Sequence, residues 1–125
     1  MKNTLKQSTY VSYRGYIENH IAPAFAYDTP ADSLLQRTRR LLKVDSIAGQ
    51  GSDIDRMKRI MTWLHDHIRH DGSSDWPKCA YNAPDLYALA QSESRSYNCR
   101  FMAIMLCEMY QSVGIPARYL VCVPK

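Results

Sequence analysis

The sequence has no long apolar stretch. Among its 125 residues the longest apolar run is Phe101 to Cys107, far below the roughly 20 residues a helix needs to cross a bilayer. Met1 to Tyr10 lacks the apolar core of a signal peptide. A soluble chain with no membrane partner is expected, and its compartment stays open, because a leader already removed leaves no trace. Also missing is any block of roughly five or six like charges. The net charge of +4 is only mildly basic, so no nucleic-acid partner is expected. The four cysteines, Cys79, Cys99, Cys107 and Cys122, form no CxxC pair, which argues against a zinc ribbon or a thioredoxin-type centre. A disulfide is left open, although nothing in the spacing asks for one. No internal repeat or low-complexity tract is present.

What is present fits one domain: 46% hydrophobic and 22% charged residues supply a single core at this length. Tyr10, Tyr13, Ile17 and Ile21 recur at near-helical spacing, but Gly15 and the β-branched neighbours leave a strand equally open before Pro23. Thr29-Pro30-Ala31-Asp32 pairs a hydroxyl cap with proline at the first helical position and an acid three residues on, which predicts a helix to about Val44. The same grammar recurs at Ser52 and Asp55. There Ile54, Met57, Ile60, Met61, Leu64 and Ile68 mark one face of a helix that runs until Gly72. Residues 71–81 read as a surface loop, and Asn82 caps a short helix from Ala83 to about Gln91.

The polar stretch from Ser92 to Asn98 leads into Cys99 and an apolar segment that closes at Gly114, with Pro116 beyond. Asn98 as cap and Gly114 at the far end bound a helix of about four turns. Apolar residues cover most of its circumference, so it is expected to lie at the centre. Ala117 to Val123 has the composition of a strand.

If Asn98 is the cap, Cys99 occupies the first helical position, where unpaired N–H groups and the helix dipole favour an anion. That environment favours the reactive thiolate, and the same N–H groups can donate to an oxyanion formed when the sulfur attacks a carbonyl. The bland alternative is a cysteine packed as a small hydrophobe at the head of a helix. Cys107 and Cys122 merit only that reading, and Cys79, in the loop, is open between exposed and paired. His65, His67 and His70 share no single helical face. Only His67 and His70 have the spacing to pair, and no zinc site is expected. Asp75 and Asp85 are acids that could be proposed for the site, and Asp85 suits the first turn of its helix for structural reasons.

Tyr97-Asn98-Cys99-Arg100-Phe101-Met102-Ala103, followed by Val113-Gly114-Ile115-Pro116-Ala117-Arg118-Tyr119, resembles the transglutaminase-like superfamily, which includes bacterial transglutaminase-like proteins and peptide:N-glycanases. With the helix from Asp55, the resemblance spans Ser52 to Val123. It implies an α+β, papain-like fold: a helix-rich N-terminal half, a central helix opened by the catalytic Cys99, then the first strand of an antiparallel sheet. Residues 1–28 would be an N-terminal extension and residues 29–125 the core of one domain. Such enzymes complete their triad with a histidine and an aspartate on later strands. Only 26 residues follow Cys99; they include no histidine, and the expected strand carries no acid. The resemblance therefore implies a domain that lacks its C-terminal strands and has little turnover alone. It also raises Trp76 and Asn98 as oxyanion or substrate residues, since transglutaminases proper use an upstream tryptophan there; a loop tryptophan that covers the core is the plainer reading of Trp76.

Three expectations follow. In the intact protein, Cys99 attacks a protein or peptide amide and forms a thioester that an amine or water resolves, a reaction that needs no metal or organic cofactor. Alternatively, the fold serves as a non-catalytic interaction module. In either case the strand from Ala117 to Val123 has an unpaired edge, so a second copy, a second fragment or a partner across it is expected.

Overall fold

A computed structural model describes residues 32–122 and 124. The Tyr10 to Ile21 segment and Thr29-Pro30 lie outside the described residues. Asp32 is the N-cap of α1 (Ser33–Leu41): its backbone is non-helical at φ −59°, ψ 136°, and its carboxylate accepts the N–H of Leu34 at 2.9 Å and of Leu35 at 3.4 Å. Asp32 is thus the cap itself, not the acid three residues after one, because its side chain satisfies two N–H groups that the first turn cannot pair.

The expected run to Val44 also breaks. Lys43 adopts left-handed backbone at φ 53°, ψ 47°, and its carbonyl accepts from Ser46 and Ile47 to start α2 (Val44–Ala48). Arg39 grips Asp45 across the break with two bonds of 2.7 and 2.8 Å. Gly49 ends α2 at φ 65° and leaves room for Arg59, whose guanidinium donates to the Ala48 and Gln50 carbonyls; a Cβ there would sit 3.2 Å from Arg59 Nη1.

α3 (Asp53–His67) opens as expected at Ser52, whose Oγ accepts from Asp55 N and donates to the Asp55 carboxylate. It closes earlier than Gly72, with Ile68 extended and buried just past its end. Ile60 and Leu64 face the core, whereas Ile54 and Met61 are 58% and 53% exposed, so the apolar stripe is broader than the face that is covered. Asn82 caps α4 (Ala83–Glu93) by accepting from Asp85 N, and Ser94 ends it in left-handed backbone.

α5 (Cys99–Ser112) packs against α1, α3 and α4. Phe101, Met105 and Met109, spaced by four, are fully buried beside Ile60, Ile68, Leu86 and Tyr97. Met102, Ile104 and Leu106 are only half-buried, so α5 is central among the helices but open along one flank. Its C-terminus turns at Gly114 (φ 83°), where the Tyr110 carbonyl accepts from Ile115.

Among the described residues the secondary structure is helical apart from one isolated parallel bridge between His70 and Tyr97. The strand expected from Ala117 is not formed over residues 117–122, and Val123 is outside the described residues. Gln111 Nε2 tacks down the Ala117 carbonyl at 2.8 Å, but Leu120 and Val121 beyond it are 71% and 55% exposed. A strand is held by its ladder, and among the described residues no second strand lies beside this segment. Among the described residues no helix is long and apolar enough to cross a membrane.

Candidate active site

The site is built from the start of α5 outward. Asn98 holds extended backbone at φ −77°, ψ 173°, and its Oδ1 accepts the N–H of Arg100 at 3.1 Å and of Phe101 at 3.4 Å. Cys99 is therefore the first helical residue, and its thiol is exposed and free. The cap also narrows what is on offer: two of the leading N–H groups are taken by Asn98. Among the described residues the Cys99 N–H has no acceptor, and neither does Asn98 Nδ2. Asn98→Ala should cost about 1 kcal/mol of stability by orphaning two donors, measurable by urea denaturation; an unchanged midpoint would show that water replaces the cap without loss.

The segment before the cysteine is anchored by Tyr97. Its backbone pairs with the chain leaving α3, accepting from Asp71 N at 2.8 Å and donating to the Arg69 carbonyl at 3.0 Å. Its hydroxyl donates to the Leu86 carbonyl at 2.7 Å. Burial, with the neighbouring Cys79 charge adding to it, pushes this phenol up to about 12, so it remains a neutral donor. Cys79 is half-buried and its thiol is pushed up, first by burial and then by Asp85. Among the described residues no two cysteines are joined by a disulfide.

Trp76 is brought to this end of α5. Its ring meets Phe101 edge-on at 5.4 Å, and the Arg100 guanidinium lies over it at 5.0 Å. Tyr81 also meets Phe101, at 5.0 Å. Arg95 holds the loop by donating to the Asp75 carbonyl. Trp76 thus covers the Phe101 ring, as the plainer reading expected, and stands beside the residues next to Cys99.

The histidines are placed differently from one another. His65 bonds Asp66 at 3.1 Å on the surface. His67 directs Nδ1 to the Trp63 carbonyl at 2.8 Å and stacks on the Trp63 ring at 4.3 Å. His70 sits opposite Tyr97 in the backbone bridge, and it shares a hollow with His67 and with Met102, one turn along from Cys99. No histidine or carboxylate is hydrogen-bonded to the Cys99 sulfur among the described residues. No group of three or more His, Cys, Asp or Glu is arranged to hold a metal there.

One acid after the cysteine escapes a search confined to strands: Glu108, inside α5, about 13 Å along the axis from Cys99. Its carboxylate accepts the first N–H of α4, from Ala83, at 2.7 Å and the Thr38 hydroxyl at 3.4 Å. Burial pushes its pKa above the ordinary value, outweighing those two bonds. It joins three helices and faces away from the sulfur's end. Asp85 is likewise structural, held low by Arg37 at 2.8 Å and by Asn82.

A helix that starts on an exposed cysteine and turns at Gly114-Ile115-Pro116 agrees with the comparison of families: the model of the transglutaminase-like superfamily matches residues 40–125. The chain belongs to the transglutaminase-like superfamily. That membership fits a papain-like fold, of which the helical part is described here, and a family whose enzymes are generally cysteine-dependent acyltransferases or protease-like. A second model, the phage integrase N-terminal SAM-like domain, matches residues 1–27, all outside the described residues. Comparison with curated proteins and with solved structures gives no match.

Proposed function

We propose that this transglutaminase-like domain supplies the nucleophile of an amide-directed thiol acyltransferase or hydrolase, with Cys99 as that nucleophile. The observation that carries the reading is the exposed Cys99 thiol at the first position of α5, with its own N–H lacking an acceptor among the described residues. Unpaired N–H groups at a helix start favour negative charge in their neighbourhood. Sγ bonds to the amide carbon, and the carbonyl oxygen takes the negative charge. The Cys99 N–H, and Asn98 Nδ2 beside it, are the donors for that oxyanion. Collapse breaks the C–N bond and expels the amine, which takes a proton from solvent water, and an amine or water then attacks the thioester carbon and releases the sulfur, giving its own proton to solvent. On this reading Trp76 walls the acyl side. The test is acylation by p-nitrophenyl acetate followed by mapping of the acyl group: a thioester on Cys99 is expected, and acyl label confined to other residues would sink the proposal.

A second reading has its own observation, the exposed Leu120 and Val121 on backbone with no ladder partner among the described residues. On this reading the segment from Ala117 to Val123 pairs as a strand with a protein partner, most simply a second copy of itself. Light scattering should then show a dimer that grows with concentration and disappears in Leu120→Lys, V121K. A monomer at every concentration would remove the self-pairing.

A further inference from the structure

Arg100 is the residue next to the proposed nucleophile, and its surroundings are unusual for a surface arginine. Its guanidinium lies over the Trp76 ring, 5.0 Å from the centroid, and the residue is half-buried. Neither an acidic partner nor a hydrogen-bond acceptor meets it among the described residues. Other arginines of the fold are engaged: Arg37 with Asp85, Arg39 with Asp45, Arg56 with Asp53, Arg95 with the Asp75 carbonyl. The platform beneath Arg100 is itself fixed, since Trp76 rests edge-on against the fully buried Phe101, with Tyr81 alongside.

A guanidinium held over an indole ring has given up part of its rotamer freedom, yet its N–H groups stay available to an anion. Its natural ligand is a carboxylate, which it can hold through two parallel bonds. We propose that Arg100, on the Trp76 platform, forms an anion subsite beside Cys99, and that the domain selects acyl donors bearing a carboxylate next to the reacting carbonyl: an acidic peptide or protein segment. The unpaired guanidinium held over the ring makes this subsite; the helix terminus alone does not. As a statement about substrates it rests on Cys99 being the nucleophile, whereas the subsite itself can be tested without that.

The experiment compares two alkylating reagents of similar size, iodoacetate and iodoacetamide, on the full chain. With each, the sulfur bonds to the reagent's methylene carbon and iodide leaves, so they differ mainly in the carboxylate. Rates are read by peptide mass spectrometry at Cys99, with the exposed Cys122 as a reference that cancels the effect of net charge. The iodoacetate-to-iodoacetamide ratio at Cys99 should exceed that at Cys122 by about fivefold at low salt, as one nearby unit charge predicts. It should drop to the Cys122 value in Arg100→Gln, which leaves the cap and core untouched. A ratio equal to that of Cys122 in the wild type, or one unchanged in R100Q, overturns the subsite. If Cys99 reacts no faster than Cys122 with iodoacetamide while its ratio still depends on Arg100, the subsite stands and the nucleophile reading falls.

Discussion

Cys99→Ala is expected to abolish thioester formation with p-nitrophenyl acetate while leaving the fold intact. The side chain is exposed at the first position of α5, so shortening it opens no cavity, and the change in stability should stay within about 0.5 kcal/mol. The other thiols cannot take over equally. Cys79 is half-buried with its thiol pushed up by burial and by Asp85, and Cys107 is half-buried within α5. Cys122 is exposed but lies outside any helix start. Cys99→Ser discriminates further: it keeps the size and the cap, yet replaces the sulfur nucleophile with a hydroxyl, a far weaker nucleophile without an adjacent base. Equal acylation of wild type and C99A would transfer the chemistry to another residue.

The largest effect on stability is expected from Phe101→Ala. Phe101 is fully buried, one turn after the N-cap, and meets Trp76, Tyr81 and Tyr97 with ring centroids 5.0 to 6.0 Å away. Removing it should cost about 3–5 kcal/mol from lost burial and the cavity left behind, a large share of the stability of a domain this size. The loss reaches the site, because the ring is the support on which Trp76 stands. Phe101→Leu retains most of the volume and should cost far less. Urea denaturation of both variants measures the difference, and Trp76 emission should move toward that of a solvated indole in F101A. A cost below about 1 kcal/mol would mean that Tyr81 and Trp76 collapse into the space.

The parts of this protein legible from its residues are those governed by chemistry within a few positions of the chain. Ser52, Asn82 and Asn98 cap their helices as read, because a short polar side chain reaches the N–H groups two or three residues on, whatever the rest of the molecule does. The same locality gave Cys99 its place at the head of α5 and Gly114 its turn. Where two local solutions compete, the choice moved to the three-dimensional fold. Asp32, read as the acid behind a cap, is itself the cap of α1, and the helix expected to reach Val44 yields at Lys43, where left-handed backbone leads into α2. Periodicity marked Ile54 and Met61 as apolar but could not say which neighbour would cover them.

The site divides along the same line. That the helix begins on a cysteine was written in the sequence. That Trp76, more than twenty positions earlier, supports Arg100, that Tyr97 is tied to the chain leaving α3, and that Glu108 caps α4 rather than serving the sulfur are contacts between segments distant in the chain. They exist only once Phe101, Tyr97 and Leu86 share one core, because burial and ring packing depend on what surrounds a residue and not on what precedes it. The segment after Pro116 makes the point in reverse: its composition suits a strand, but a strand is a property of a pair, and no local preference supplies the second member.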